Sequence, residues 1–170
     1  MPDRFEQAVL PHLDAAYNLA RWLVRSPADA DDMVQEAYLR ALRFFDGFRG
    51  GDSRAWLLRI VRNTCYSWMQ KNRALELSDE FDETAHTGEK AGQDTEAELI
   101  SRDESDRVRK ALEMLPANFR EVLVLREIEG LSYKEISEVT GVPMGTVMSS
   151  LSRARQKLRD QLEASTRKEV

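Results

Sequence analysis

Arg59, Arg62, Asn63, Tyr66, Gln70 and Arg73 fall on one face of a helix at about 100° per residue, with Leu57, Val61, Thr64 and Trp68 opposite. Residues 53–75 contain no acid, and they also hold Arg54 and Lys71. This is a chemistry of recognition, not of bond-making. Guanidinium groups meet phosphates, rings stack on bases, and an amide reads an exposed base edge, a combination suited to single-stranded nucleic acid. Trp56 stands at the edge of the polar face. The preceding loop, Arg43-Phe44-Phe45-Asp46-Gly47-Phe48-Arg49, adds aromatics and glycine flexibility. The alternative is that Trp56, Phe44, Phe45 and Phe48 fill the core of a small domain. Phe44 and Trp68 fit that alternative better, whereas Arg59, Asn63 and Tyr66 stand between cations as contact residues.

A second recognition surface lies in Leu131–Leu158, LSYKEISEVTGVPMGTVMSSLSRARQKL. Ser132 with Glu135 three residues later forms a capping box that starts a helix. Ile136 and Val139 share its inner side. Thr140-Gly141 supplies a C-terminal stop, and Pro143 suits the first turn of the next helix. There Val147, Leu151, Ala154 and Leu158 make a core-facing stripe. From Pro143 to Arg159 there are four cations and no acid. Helix, tight glycine turn and basic second helix match a helix-turn-helix that lays side chains in a major groove. A helical hairpin with a solvated charged face is the alternative for this segment taken alone.

Catalysis and metal binding find no support. No nucleophile–base pair or ligand cluster stands out, and His12 and His86 are too far apart to share a metal. The single cysteine, Cys65, excludes an internal disulfide framework and fits a reducing cytoplasm. No apolar run approaches the ~18 residues of a membrane span. MPDRFEQAVLPHL carries acids and lacks the apolar stretch of a signal peptide. The expectation is a cytoplasmic protein without membrane insertion, catalytic residues, metal or cofactor.

The elements that must position these residues are helices. Phe5–Val24 has apolar residues at helical spacing. Ser26-Pro27 reads as an N-cap and first helical residue. The helix beyond carries Ala30, Met33, Val34, Ala37, Tyr38 and Ala41 on one stripe, with Asp31, Asp32, Gln35, Glu36 and Arg40 outside. After the Gly47–Gly51 break, Asp52 or Ser53 caps a long helix to about Asn72. Ser101 with Glu104 predicts another capped helix with Val108, Ala111, Leu112 and Leu115 inside, ended by Pro116. Phe119–Ile128 follows as a helix.

The 170 residues carry a net charge of −5, which looks wrong for a nucleic-acid binder until it is divided along the chain. Residues 1–73 carry +2, residues 74–100 carry −8 with one Lys against nine acids, and residues 101–170 carry +1. The acidity belongs to the middle segment, which is poor in large apolar residues and reads as a flexible tether. The predicted fold is all-α, with two small helical domains, 1–73 and 101–170, joined by an acidic linker, 74–100.

DADDMVQEAYLRAL, FFDGFRGGDSRAWLLRIVRNTCYSWMQKNR and LPANFREVLVLREIEGLSYKEISEVTGVPMGTVMSSLSRARQKL, in that order and spacing, resemble the extracytoplasmic-function (ECF) group of bacterial sigma factors. The resemblance implies a promoter-specificity subunit of RNA polymerase. It implies that Asp31, Asp32, Gln35, Glu36 and Arg40 dock on the polymerase β′ subunit, as a carboxylate rim meeting a basic partner, with β completing the core contacts. It implies that the loop from Phe45 to Arg54 and the helix after it, through Phe48, Arg54, Trp56, Arg59, Arg62, Asn63, Tyr66, Gln70 and Arg73, hold the −10 element and its melted non-template strand. Asn63 after Arg62 matches the family's base-reading pair, while Ser67 and Gln70 replace a usual Asp and Arg. In the second domain it implies that Thr146, Ser149, Ser150 and Arg153 read the duplex −35 element and that Arg155 and Lys157, with Arg159, meet backbone or solvent. Met148 and Ser150 stand where relatives carry Lys and Arg, which shifts −35 recognition toward Arg153, shape and helix N-terminal amides. An anti-sigma factor is the further partner implied.

The acidic linker is long enough for this arrangement. Twenty-seven residues extend to about 90 Å and relax to about 30 Å, against roughly 55–60 Å between the two promoter elements of the family. Two rival readings are a polymerase-independent helix-turn-helix regulator and a sigma mimic that titrates an inhibitor. The first leaves the acidic helix and the Arg59–Arg73 face unexplained. The second tolerates the losses at Ser67 and Ser150.

Overall fold

In a computed structural model, residues 3–78 and 96–168 are described, and all of their regular structure is helical. Four α-helices precede the middle of the chain: α1 (Arg4–Val9), α2 (Leu13–Val24), α3 (Pro27–Phe44) and α4 (Ser53–Ser78). Four follow: α5 (Glu96–Glu113), α6 (Ala117–Leu123), α7 (Tyr133–Thr140) and α8 (Met144–Lys168).

Local chemistry accounts for most of the boundaries. Pro11 interrupts the apolar run between Phe5 and Val24, so a 3-10 turn, Leu10–His12, separates α1 from α2. Ser26 accepts from the Asp29 backbone N–H and caps α3 with Pro27 in its first turn. Asp52 Oδ1 accepts from Ala55 N at 3.0 Å at the start of α4, so Asp52 is the capping residue there. The Ser132–Glu135 capping box forms with both of its hydrogen bonds. Gly141 closes α7 at φ 78°, a left-handed conformation that disfavours any side chain. After α6 the chain widens into a π turn, Val124–Ile128, in which Glu129 N donates to Val124 O.

Two expected helix ends move. The long central helix continues beyond Asn72 to Ser78, and α5 begins at Glu96, so Ser101 lies within α5 and not at its start. The run of good helix formers Ala74-Leu75-Glu76-Leu77 extends α4, and Glu96-Ala97-Glu98-Leu99 does the same for α5. The rest of the expected linker, residues 79–95, lies outside the described residues, and His86 with it.

Most of the predicted stripe residues are buried: Ala30, Met33, Ala37 and Ala41 on α3, Leu57 and Val61 on α4, Ala111 and Leu112 on α5, and Val147, Leu151 and Ala154 on α8; Val108, expected inside α5, is instead 42 % exposed. Phe44, assigned to the core from sequence, is instead 58 % exposed. Phe45 and Phe48, both half-buried, pack against Trp56 instead. Trp68 packs partly buried against the core.

The two halves of the chain pack on each other. A single cluster of buried residues runs from Phe5 through Cys65 into Leu112–Ala154, with α7 laid against α4 and α6 against α2. This packing decides which of the candidate residues face solvent.

Candidate nucleic-acid interface

The exposed face of α4 carries Arg59, Asn63, Gln70 and Arg73. Helical spacing aligns them, and the buried Leu57, Leu58, Val61 and Thr64 on the other side fix the helix rotation. Arg62 and Tyr66 belong to the same face but are half-buried and engaged. The Arg62 guanidinium lies 4.1 Å from the Tyr66 ring centroid. Its Nε donates to Glu121 Oε1 at 2.7 Å, and Tyr66 Oη donates to Glu121 Oε2. Its NH1 also donates to Asn63 Oδ1 at 3.4 Å.

Burial and these partners set the protonation of the group. Desolvation raises Glu121 above the ordinary carboxylate range, against the hydrogen bonds from Tyr66 and Arg62, which favour its anion. Burial and then the Glu121 charge push the Tyr66 phenol well up. Burial works against the Arg62 charge, but Glu121 outweighs it and raises Arg62. Cys65, beneath this face, is held at about 12 by burial first and then by Glu121 and Glu36.

The loop before α4 builds an aromatic shelf. Phe48 tilts on Trp56 with centroids 5.0 Å apart, Phe45 stacks on Phe48 at 5.9 Å, and Phe5 meets Phe45 edge-on at 5.4 Å. Gly50 and Gly51, at φ 91° and 90°, turn the chain across it. A cleft of about 650 Å³ opens between this loop, Trp56 and Arg59 on one side and Lys134, Glu135 and Glu138 of α7 on the other. Arg54, in the first turn of α4, pairs with Glu135 of this lining. Its NH2 donates to both Glu135 oxygens, at 3.0 and 3.2 Å. A hydrogen bond with Asp52, then the Ser132 backbone N–H and Arg54, hold Glu135 down at about 2.

On α8, Thr146, Ser149 and Arg153 are exposed, and Ser150 is half-buried toward the core. Ser149 Oγ donates to Thr146 O at 3.1 Å. Arg155 is paired with Glu127 at 2.7 Å, whereas Lys157 is exposed. Met144 and Met148 add an apolar edge to the start of this helix.

The α3 residues Asp31, Asp32, Gln35 and Glu36 are exposed, and Glu36 pairs with Arg40 at 2.8 Å. Arg40 NH1 reaches Thr64 Oγ1 at 3.4 Å and so ties α3 to α4. Sequence reading missed the apolar band beside these acids: Leu39 is 63 % exposed and Leu42 50 %. It also missed Arg120, Glu121, Glu129 and Glu135 as partners of the first half. Arg120 and Glu121 are almost fully buried, and their place in the apolar run ANFREVLVL was the available signal.

The profile of Sigma-70 region 2 matches residues 8–75, and that of Sigma-70 region 4 matches residues 105–158. The ECF RNA polymerase sigma factor SigE of Mycolicibacterium smegmatis is 34 % identical over 163 residues, 93 % of this chain and 61 % of that protein. The chain therefore spans under two thirds of that relative's length. The ECF RNA polymerase sigma-E factor of Escherichia coli is 33 % identical over 147 residues, covering 82 % of this chain and 77 % of that one. Among solved structures, the sigma factor RpoE of Bartonella quintana, in complex with the anti-sigma factor NepR, superimposes with a TM-score of 0.74 at 32 % identity. The match covers 94 % of this chain and 97 % of that one. CnrH, in complex with the cytosolic domain of CnrY, superimposes with a TM-score of 0.66 at 29 % identity over 94 % of this chain and 88 % of that one. With two sigma-70 regions in order and relatives matched across most of its length, the chain belongs to the ECF group of RNA polymerase sigma factors.

Proposed function

We propose that the chain binds core RNA polymerase through α3 and directs initiation at promoters by holding the −10 element on α4 and the −35 element on α8. The observation that carries this reading is the pair of exposed nucleic-acid-type faces, Arg59–Asn63–Gln70–Arg73 and Thr146–Ser149–Arg153, within the two matched sigma-70 regions. Docking rests on the exposed acids Asp31, Asp32, Gln35 and Glu36 beside Leu39 and Leu42. Carboxylates steer a basic partner, and the leucines supply apolar area on contact. Phe48, Trp56 and the cleft beside them accept an unstacked base, while Arg54, Arg62 and Tyr66 hold the melted strand. Arg155 and Lys157 meet the duplex backbone beside the −35 bases. The protein acts in the cytoplasm with the polymerase. An anti-sigma factor is its regulator, by analogy with the RpoE–NepR complex just described.

The test is transcription in vitro with core polymerase on a promoter library. Stable association with core and start-site-specific transcripts from a subset of promoters are expected. No core binding and no initiated transcript would overturn the reading. Duplex binding without polymerase, at unchanged sequence preference, would point instead to a stand-alone regulator.

A further inference from the structure

The loop that precedes α4 has two sides. On one lies the cleft shared with α7, lined by Trp56 and Arg59. On the other a second cleft, of about 580 Å³, opens between the loop and α1. Arg4 and Gln7 line it from α1, and Phe45, Phe48 and Arg49 line it from the loop with the Gly50–Gly51 backbone. Phe48, Arg49, Gly50 and Gly51 line both clefts, so a strand leaving the first can cross the loop directly into the second.

The rotation of α1 follows from its own sequence. Phe5 and Val9, four residues apart, are buried, and Phe5 meets Tyr38 edge-on with centroids 5.2 Å apart. Asp3 accepts from Phe5 N at 3.3 Å and caps the helix. With that rotation fixed, Arg4, Gln7 and Ala8, at i, i+3 and i+4, share another face, and all three line the cleft.

The chemistry of the cleft is that of a nucleotide site. Two guanidiniums stand against the one carboxylate of Asp46, a net charge of +1. No described residue pairs with Arg4 or Arg49, so both forks are available to phosphate. The Gln7 amide offers a donor and an acceptor to a base edge. Phe45 and Phe48, stacked at 5.9 Å, supply apolar surface for the base. Arg4, Gln7, Arg49, Gly50 and Gly51 are all exposed, and a Cβ at either glycine would meet nothing within 4 Å. Such an open cleft suits a polymer passing through it better than a small ligand, which is held by enclosure.

We infer that the α1-side cleft is a second nucleotide subsite for the promoter strand, taking the base next to the one held at Phe48 and Trp56. Gln7 reads the edge of that base, and Arg4 and Arg49 hold the phosphates beside it. The inference rests on the reading of α4 and the Phe48–Trp56 cleft as a strand-holding surface. Arg4 and Gln7 both precede the segment matched by Sigma-70 region 2, residues 8–75. Base preference at this position is therefore set outside that segment, and it can be changed there without touching α4.

The test uses holoenzyme assembled from core polymerase and the full chain. Its probe is a DNA pool with a duplex −35 element, taken from a promoter recovered in the library, and a single-stranded non-template strand. That strand is randomised across the −10 element and its flanks, and sequencing the bound fraction gives the base preference at each position. Gln7→Ala is expected to flatten the preference about tenfold at one position and to leave the others, the scale of a lost amide–base contact. Arg4→Ala is expected to keep every preference, weaken binding and lower the salt dependence by about 0.7 in slope, one single-strand phosphate contact. Both side chains are exposed, so the core packing of α1 is kept in each variant. Unchanged preference at every position in Gln7→Ala, with an unchanged salt slope in Arg4→Ala, overturns the inference. Arg59→Ala separates the two levels. If it weakens binding while the α1 variants match the wild type, the second subsite fails and the reading of α4 stands. If it too leaves binding unchanged, both fail.

Discussion

Arg62 and Asn63 are adjacent in the chain, yet their surroundings divide their roles. Arg62 is drawn to the buried Glu121, whereas Asn63 remains exposed and accepts from the Arg62 guanidinium at 3.4 Å. Helical spacing placed both on one face. It could not show that a carboxylate 59 positions later would claim the first and leave the second. Asn63 is therefore the residue most directly available to read a base. Asn63→Ala is expected to slow open-complex formation about tenfold, the scale of losing one good amide–base contact, and to leave duplex binding nearly unchanged. Permanganate footprinting of melted promoter and duplex gel shifts would measure the two effects. Equal losses in both would contradict a single-strand role.

At the scale of elements, capping and glycine chemistry were legible because they depend on neighbours in sequence. Ser26, Asp52 and the Ser132–Glu135 box all cap as their side chains dictate. The helix-turn-helix is the clearest case, since Gly141 takes the left-handed conformation that its position after Thr140 implies. Gly141→Ala forces a Cβ into that conformation at a cost of about 1 kcal/mol. The melting midpoint should fall by about 2–4 °C for a chain of this size. Calorimetry would check it, and an unchanged midpoint would mean that the turn tolerates the strain. Helix ends without such punctuation were less legible. Ser101 offered a plausible cap, but good helix formers on its N-terminal side carried α5 back to Glu96. Phe44 shows the same limit for side chains: periodicity gives a face, and packing decides whether a ring at the end of that face is covered.

At the scale of the whole molecule, the interface between the halves carries its own pH dependence. Glu135 is held down at about 2, first by Asp52 and then by Ser132 N–H and Arg54, so its ionised form is favoured in the closed chain. Its contribution to closure is fully present above the ordinary Glu range and is lost as pH falls through that range toward 2. Glu121 has the opposite sign. Its raised value favours closure in acid, and that contribution fades as pH rises through the raised value. Glu135→Gln should therefore remove the acid-side opening and leave the Glu121 dependence in place. Scattering between pH 3 and pH 7, with wild type and variant side by side, reads this directly. Parallel profiles would exclude Glu135 as the titrating contact.

The sequence by itself determined an all-helical chain, the helix-turn-helix, the acid-free face of α4 and the acidic face of α3, because caps, turns and apolar periods are encoded within a few residues of where they act. The tertiary structure decided which members of those faces are free. Arg54, Arg62 and Tyr66 are occupied because α6 and α7 bring Glu121 and Glu135 across from the other half of the chain, a proximity that no local spacing records. The physical reason is burial. Arg120 and Glu121 sit in an apolar run whose inner side the chain must cover, and covering it brings their charges to partners in the first half, with Leu115 O as a further acceptor for Arg120.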